Sequence, residues 1–227
     1  MSLLRYLRSR FSVTGKTRNV FLPFQIPRSY VGPTPDRVIV QDPSCNDCMA
    51  VALANALLTE FPDWEPDVMR TFIEAGGECS KGIADVRLLR LGVFYGFNYH
   101  VRFSYAIVAR SSLEYMLPHG WLGLGCVYIP DDFFFWRKGL DDVYSPGPFW
   151  WLMRKLVKNI GHVVMIYGYD EKSFYVINGY PNWGDGYKGR VSRSVFGRYY
   201  VVKPVSSVAA KSGGEPSGGR WSRHTYV

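Results

Sequence analysis

Apolar residues dominate the stretch from residue 47 to residue 60, which reads DCMAVALANALLTE. Alanine and leucine are strong helix formers, and hardly any position is left for a polar face, so this stretch predicts a buried helix. Residues 64–67 are predicted to open a second helix, with Pro66 near its first turn, and that helix ends at residues 76–77, which are both glycine. Two further helices are predicted over residues 80–91 and 111–117.

Strand periodicity replaces helical periodicity in the second half of the chain. Phe97, Tyr99, Val101 and Phe103 alternate with polar residues, as in a strand with one buried face. After residue 120 the apolar runs are short and bounded by turn residues, which is typical of strands. The predicted strands are residues 121–129, 162–169, 174–178, 187–191 and 199–202. Helices followed by strands indicate an α+β fold.

Residues 130–160 interrupt the predicted strands with two aromatic clusters. These clusters read FFFW at residues 133–136 and FWW at residues 149–151. We expect this aromatic insert to pack on the body of the domain. The alternative is a lid or a partner surface, because large exposed apolar patches mark interfaces.

The charge of the chain is concentrated at its two ends. The 227 residues include 27 Lys and Arg against 19 Asp and Glu, a net charge of +8. Residues 1–35 hold six bases and no acid, and residues 203–227 hold four bases and one acid, which leaves −1 for residues 36–202. A nucleic-acid-binding domain more often carries its excess charge on the folded face. We therefore predict three parts: a basic N-terminal arm (1–37), a folded domain (38–203) and a flexible basic tail (204–227).

The composition of the first 19 residues bears on the location of the protein in the cell. Residues 1–19 are rich in Arg and Ser, lack acids and carry apolar residues at roughly helical spacing, which is typical of a mitochondrial transit peptide. The alternative is a basic arm that touches a partner. No apolar run follows as in a secretory signal, and none approaches the ~20 residues that cross a bilayer, so we expect no transmembrane segment. We expect an intracellular protein, with mitochondrion and virion as candidate locations, whose basic ends contact RNA or a large assembly.

Cys45 and Cys48 form a CNDC motif directly before the buried helix, and three chemistries compete for it. A zinc site needs two further ligands at close spacing, but Cys79, His100 and Cys126 are scattered singly, so we expect no metal and no cofactor. A redox pair is typical of a thioredoxin-like βαβ unit, which the predicted elements do not offer. A nucleophile fits Cys48 best, because the positive end of the helix dipole favours a thiolate in the first turn.

His162 is the histidine best placed to act as a base for Cys48. It begins an apolar strand, where a polar ring is held at the edge of the core. Asn178 ends the next strand of that hairpin, so its amide can lie beside the imidazole and set the tautomer; Asn182 is a rival for this role. Gln41, seven residues before Cys48, can donate an amide hydrogen to an oxyanion.

Taken in order, these residues resemble the papain-like cysteine peptidases. The matching motifs are Gln41 and Cys48 at a helix start, GHVV at 161–164, VIN at 176–178 and NWGDGY at 182–187. Each motif is weak by itself, and their common order carries the resemblance.

The resemblance implies a fold and a site. The fold is the papain-like α+β fold, in which a buried N-terminal helix carries Cys48 and an antiparallel sheet carries His162 and Asn178. The implied roles are nucleophile for Cys48, base for His162, orienting residue for Asn178 and oxyanion donor for Gln41. The implied reaction is hydrolysis of an amide bond in a peptide or protein substrate.

Within that superfamily, residues 41–203 look closest to the bacteriocin-processing, double-glycine branch. That branch commonly has Asp where Asn178 stands. Cys45 matches a papain position that is usually disulfide-bonded, and Cys79 is one candidate mate. The chain departs from the family at Met49, where papain-like enzymes usually have Trp.

Two other functions stay open. The basic ends, the aromatic insert and the short segment before Gln41 favour a catalytically inactive structural subunit of a mitochondrial complex or a virion. The same fold and the same Cys–His pair can also transfer an acyl group to an amine instead of water.

Overall fold

The computed structural model describes residues 25–83, 90–92, 94–95, 102–147, 150 and 160–205. Its helices are α1 (Cys48–Leu58), α2 (Val68–Glu74) and α3 (Arg110–Met116). Its strands are β1 (Tyr30–Val31), β2 (Arg102–Val108), β3 (Leu122–Ile129), β4 (Val143–Tyr144), β5 (Ile160–Tyr169), β6 (Ser173–Ile177), β7 (Lys188–Ser192) and β8 (Phe196–Val205). Short 3-10 helices cover Leu117–His119, Asp131–Phe135 and Arg193–Val195.

The strands of the described residues form one sheet in the order β2–β8–β3–β5–β6–β7–β4, with β1 paired to the end of β5. All pairs are antiparallel except that of β4 with β7. The register pairs His162 of β5 with Val127 of β3, and Met165 of β5 with Ile177 of β6. His162 therefore lies on a central strand of the sheet. Asn178 is the first residue after the end of the neighbouring strand, β6.

Helix α1 is buried because its sequence offers almost no polar side chain. Every residue from position 49 to position 58 is buried. The single polar residue among them, Asn55, accepts a hydrogen bond from the Ile39 N–H at 2.7 Å and donates to the Ile39 carbonyl at 3.0 Å. Both ends of its amide are therefore satisfied, so burying Asn55 carries no penalty for an unpaired polar group.

The sheet has a hydrophobic core on each face, because successive side chains of a strand point to opposite sides. Val163, Met165 and Tyr167 of β5 pack in the core that contains α1. Val164 and Ile166 pack in a second core on the other face. That second core combines aliphatic residues with the aromatic side chains of Phe133, Tyr144, Tyr169, Phe174, Trp183, Phe196 and Tyr199.

The helix predictions are mostly confirmed. The buried helix predicted over 47–60 is α1, and the short one predicted over 111–117 is α3. The second predicted helix is α2, which starts later than expected, because Asp67 caps it by accepting a hydrogen bond from the Arg70 N–H at 2.9 Å. Pro66 therefore lies directly before the capping residue, next to the first turn of the helix.

The helix predicted over residues 80–91 is wrong at its start. The N–H of Gly82 donates to the carbonyl of Glu78 at 2.6 Å, and residues 79–81 form a turn. Gly82 has a φ of +78°, a left-handed conformation that glycine adopts without a steric penalty. Residues 84–89 lie outside the described residues, and residues 90–92 are helical.

All five strands predicted after residue 120 are present, each within three residues of its expected bounds. The alternating stretch contributes Phe103 to β2, and its other members lie outside the described residues. Strands β1 and β4 were not predicted, since two residues are too few to show a period. Helices followed by one large, mostly antiparallel sheet confirm the α+β class.

The two basic ends fall largely outside the described residues, which exclude residues 1–24 and 206–227. The described part of the predicted arm contributes β1, whose Tyr30 and Val31 pair with Tyr169 and Gly168 of β5. No helix of the described ranges is long and apolar enough to cross a bilayer.

Candidate active site

Cys48 is the first residue of α1 and is partly exposed, whereas the residues that follow it in the helix are buried. A residue at this position keeps its backbone N–H outside the hydrogen bonds of the helix. The Cys48 thiol lies against the backbone N–H of Val163, which follows His162 on β5. The packing of α1 on β5 therefore brings Cys48 beside the strand position that His162 occupies.

His162 and Asn178 are buried and bonded to each other, with 2.8 Å between His162 Nε2 and Asn178 Oδ1. The backbone N–H of Tyr180 donates to the same Oδ1 at 3.1 Å, so this atom must be the acceptor oxygen of the amide. Nε2 of the neutral ring then carries the proton, and Nδ1 keeps its lone pair. The rival Asn182 is exposed and has a left-handed backbone (φ 56°).

Gln41 ties the segment before Cys48 to the end of the β5–β6 hairpin. Its backbone N–H donates to the carbonyl of Gly179, the residue after Asn178, at 2.7 Å. Its side-chain Nε2 donates to the carbonyl of Cys45 at 2.8 Å. A primary amide has two N–H donors, so one hydrogen of Gln41 remains for a further acceptor.

A disulfide holds this segment in place by joining Cys45 to Cys79 across 34 residues of sequence. The N–H of Asn46 donates to the carbonyl of Cys79 at 3.0 Å, which adds a backbone link at the same point. The sequence left the mate of Cys45 open, and the structure assigns it to Cys79. The carbonyl that accepts the hydrogen bond of the Gln41 side chain therefore belongs to Cys45, which the disulfide holds in place.

Burial acts against charge on both Cys48 and His162. Loss of solvent raises the pKa of the Cys48 thiol to about 11, although the backbone of Val163 acts in the opposite direction. Burial also lowers the pKa of His162 to about 4, and the hydrogen bond that His162 donates to Asn178 offsets only part of this shift. Both groups are therefore uncharged near pH 7. The helix dipole was expected to favour a thiolate at Cys48, but desolvation is the larger effect.

Asp47 is a buried carboxyl directly before Cys48 that sequence reasoning missed as a titrating group. One of its oxygens, Oδ1, has no hydrogen-bond partner among the described residues. Burial is the largest cause of the rise in its pKa to about 7, and the nearby Asp42 carboxylate adds to it. The sequence feature that points to this group is an acidic residue directly before an otherwise apolar helix.

Aromatic rings from the insert cover the buried His–Asn pair. The rings of Phe133 and Phe134 lie 5.9 and 5.1 Å from the His162 ring, both edge-on. Phe133 packs in turn on the buried Trp183, whose Nε1 donates to the Phe133 carbonyl at 2.7 Å. Phe133 and Phe134 of the insert therefore pack on the body, over the candidate site, whereas Phe135 is exposed. Phe149 and Trp151 of the second aromatic cluster lie outside the described residues. Sequence reasoning did not include these rings in the site, since an aromatic run does not indicate what it covers.

The arrangement suits nucleophilic attack on a carbonyl group. Cys48 begins α1, the bonded His162 and Asn178 lie at the start of β5 and just after β6, and the Gln41 amide lies on the segment before α1. These are residue types that attack on a carbonyl group requires. Within the described ranges, no group of three or more His, Cys, Asp or Glu side chains is placed to hold a metal ion.

Comparison with solved structures identifies the fold. The chain is similar to a cysteine protease from Carica candamarcensis in complex with E-64, with 15% identity, a TM-score of 0.53, and coverage of 79% of this chain and 98% of that chain. It is also similar to a procathepsin B from Trypanosoma congolense, with 12% identity, a TM-score of 0.58, and coverage of 84% and 82%. No protein-family model and no curated protein matches the chain. The fold is therefore that of the papain-like cysteine proteases, at a low sequence identity.

Removal of the disulfide is expected to destabilise the protein. Closing a loop of 34 residues contributes about 4 kcal/mol by restricting the unfolded chain, so the double variant Cys45→Ala/Cys79→Ala should lose a large part of that amount. Guanidinium unfolding with and without a thiol reductant measures the loss. The reductant should weaken wild type and a Cys126→Ala control alike and leave the double variant unchanged. Equal stability of wild type with and without reductant would contradict the assignment.

Wild type is expected to lose stability as the pH rises, and the variant Asp47→Asn is expected to lack this loss. The unfolded carboxyl loses its proton near pH 4 and the folded one near pH 7, so the folded state holds more protons in between and the free energy of unfolding falls. The Asn variant should avoid this fall, on the order of 2–4 kcal/mol by pH 7. Urea unfolding between pH 4 and pH 8 tests it, with the exposed Asp63→Asn as control. Parallel curves for wild type and Asp47→Asn would refute the burial effect.

Proposed function

We propose that the protein is a cysteine peptidase or amide hydrolase whose nucleophile is Cys48. His162 is the base, Asn178 orients it, and Gln41 donates to the oxyanion. The observation that supports this proposal most is the 2.8 Å bond from His162 Nε2 to Asn178 Oδ1 beside the start of α1. It leaves Nδ1 as the acceptor of the ring, and the Cys48 thiol lies at the backbone of the next residue, Val163.

The first half of the reaction forms an acyl-enzyme. Cys48 Sγ attacks the carbonyl carbon of the substrate as its proton passes to His162 Nδ1, and the carbonyl oxygen becomes an oxyanion. The free N–H of the Gln41 amide and the backbone N–H of Cys48 stabilise that oxygen. Because both groups are uncharged at rest, the proton moves during the attack and not before it. His162 then protonates the leaving amine, and the C–N bond breaks.

The second half releases the product. Water attacks the thioester carbonyl as His162 takes one of its protons, and a second oxyanion forms in the same place. The C–S bond breaks, the acid product leaves, and the proton on His162 returns to Cys48 Sγ. The Asn178 oxygen keeps the ring in one tautomer throughout, so Nδ1 faces each proton donor in turn.

The bacteriocin-processing branch is our proposal for the kind of peptidase, on the strength of the order of motifs along residues 41–203. A peptide or protein is accordingly the proposed substrate. Intracellular location, in a mitochondrion or virion, and contact of the basic ends with RNA or a large assembly likewise stay proposals, and they depend on ends that lie mainly outside the described residues.

An inactive structural subunit is the second candidate, and two observations favour it. Burial keeps the Cys48 thiol protonated at neutral pH, and aromatic rings close over one side of His162. An acyltransferase differs from a hydrolase only in the group that attacks the thioester. Product analysis with an added primary amine separates these two reactions.

Cys48→Ala is expected to abolish amide hydrolysis, with a loss of about a thousandfold or more, since the acyl-enzyme cannot form. The matched control is Cys126→Ala, which removes the other free cysteine of the described residues. E-64 is bound to one of the structural neighbours. In intact-mass measurements, wild type and Cys126→Ala should each gain the mass of one E-64 molecule, and Cys48→Ala should gain none. Hydrolysis that persists in Cys48→Ala, or a label on another residue, would contradict the proposed nucleophile.

Asn178→Asp is expected to retain activity within about tenfold, because a carboxylate oxygen accepts the same two hydrogen bonds. His162 must be neutral to act as a base, so its lowered pKa of about 4 places the acid limb of the wild-type kcat/KM profile near pH 4. The added negative charge should raise the pKa of His162 and move that limb to higher pH.

Asn178→Leu is the matched variant that removes the acceptor and keeps the size. It should lose about a hundredfold or more in kcat/KM, since the His162 tautomer is no longer set. Wild-type activity in Asn178→Leu, or an acid limb that stays in place in Asn178→Asp, would refute the orienting role.

A further inference from the structure

Besides Cys48, the described residues contain one other free cysteine, Cys126, which lies on β3. The register of β3 and β5 places Cys126 directly opposite Val163. The Cys48 thiol lies against the backbone N–H of the same Val163. Two free thiols therefore meet at one residue of β5, and the proposed mechanism uses only one of them.

Both thiols lie on the face of the sheet that α1 covers. Val163 belongs to the core that contains α1, and Cys48 and Cys126 pack against that core. Residues directly opposite each other in an antiparallel pair have Cα atoms about 4.5–5.5 Å apart, with their side chains on one face. The Cys126 side chain therefore projects beside that of Val163, on the side of the sheet where α1 begins.

The electrostatics of Cys126 indicate the same proximity. Burial is the largest cause of the rise in its pKa to about 11, and charge on Cys48 is the next cause. Charges interact strongly over a few ångströms and are largely screened by salt beyond about 10 Å. Cys48 is thus one of the groups near the Cys126 sulfur, together with the hydroxyl of Tyr128, which is hydrogen-bonded to that sulfur.

Cys126 is also the partner that is free to react with Cys48. Cys45 is nearer along the chain, but it is already joined to Cys79 and only 3% of its surface is exposed. Cys48 and Cys126 are both partly exposed, so a reagent in solvent can reach them. Exchange between a thiol and a disulfide requires such access.

The existing disulfide between Cys45 and Cys79 indicates suitable surroundings for a second one. Disulfides form and persist in oxidising environments. An environment that maintains one cross-link also acts on other accessible thiols. Two neighbouring thiols favour a bond to each other, because closure within one molecule avoids the entropy cost of bringing two reactants together.

We propose that Cys48 and Cys126 form a reversible disulfide that blocks the candidate nucleophile. The oxidant is a small-molecule disulfide, such as oxidised glutathione. One protein thiol loses its proton and attacks this disulfide, which forms a mixed disulfide and releases one small thiol. The second protein thiol loses its proton and attacks the protein sulfur of the mixed disulfide, which releases the other small thiol. Two protein thiols are thus oxidised, one small-molecule disulfide is reduced, and both protons end on the released thiols.

The bond does not depend on the proposed peptidase function, but its consequence does. The thiolate is the nucleophilic form of cysteine, so Cys48 in a disulfide cannot attack a carbonyl carbon. The structure shows both thiols free, which is the form that the proposed mechanism requires.

Peptide mapping of the full-length protein tests the bond. The protein, in mild reductant that leaves the Cys45–Cys79 cross-link intact, is incubated with excess oxidised glutathione at about pH 8.5, where more thiolate speeds the exchange. Remaining thiols are alkylated, and the protein is digested without reduction. Wild type should yield a bond between Cys48 and Cys126 and no glutathione adduct on either. Cys126→Ala should lack the bond and carry glutathione or the alkylating reagent on Cys48.

Activity should follow the bond. Oxidised wild type should lose amide hydrolysis and E-64 labelling by about tenfold or more, and a reductant should restore both. Reduced Cys126→Ala should match reduced wild type in both measurements. Cys126→Ser replaces Cys126→Ala if the alanine variant does not fold.

The outcomes separate the inference from the proposed function. If Cys48 of oxidised wild type stays open to alkylation, keeps glutathione or bonds to Cys45, the inference is wrong, and hydrolysis by reduced wild type would still support the peptidase. If the Cys48–Cys126 bond forms but reduced wild type hydrolyses no more than Cys48→Ala, the proposed function is wrong and the bond stands.

Discussion

The packing of an all-apolar helix on the central strand of the sheet is the interaction on which the rest of the structure depends. Helix α1 buries every residue behind Cys48, and it can do so only against an equally apolar partner, which β5 supplies. Since Cys48 begins the helix and His162 lies near the start of the strand, the hydrophobic contact also sets the position of the candidate nucleophile relative to the candidate base. Site geometry here follows from core packing.

The same burial has an electrostatic cost at the site. A low-dielectric environment disfavours the thiolate of Cys48, the imidazolium of His162 and the carboxylate of Asp47 together. Near pH 7 Cys48 and His162 are therefore uncharged, and the raised pKa of Asp47, about 7, leaves that carboxyl partly protonated. The hydrogen bond to Asn178 and the N–H groups at the helix start counteract this only in part. Aromatic rings of the insert add to the exclusion of water from His162.

Much of the fold could be predicted from the regular spacing of apolar residues along the chain. The run of helix formers predicted α1, and five apolar stretches predicted β3, β5, β6, β7 and β8, because each is long enough to show its period. Strands β1 and β4 have two residues each and carry no such signal. Residues 80–83 look like the start of a helix, but the disulfide at Cys79 and the left-handed Gly82 place a turn there. At these residues the long-range cross-link therefore outweighs the local preference for a helix.

The sequence by itself determined the α+β class, the buried helix with Cys48 at its start, and a short set of polar residues, Gln41, His162 and Asn178, at the ends of apolar elements. These follow from local patterns, since burial and period are encoded residue by residue. Tertiary structure decided the mate of Cys45, the protonation of the Cys–His pair and the surface that covers it. Each of these depends on atoms far apart in the chain, and only folding brings those atoms within bonding or desolvating distance.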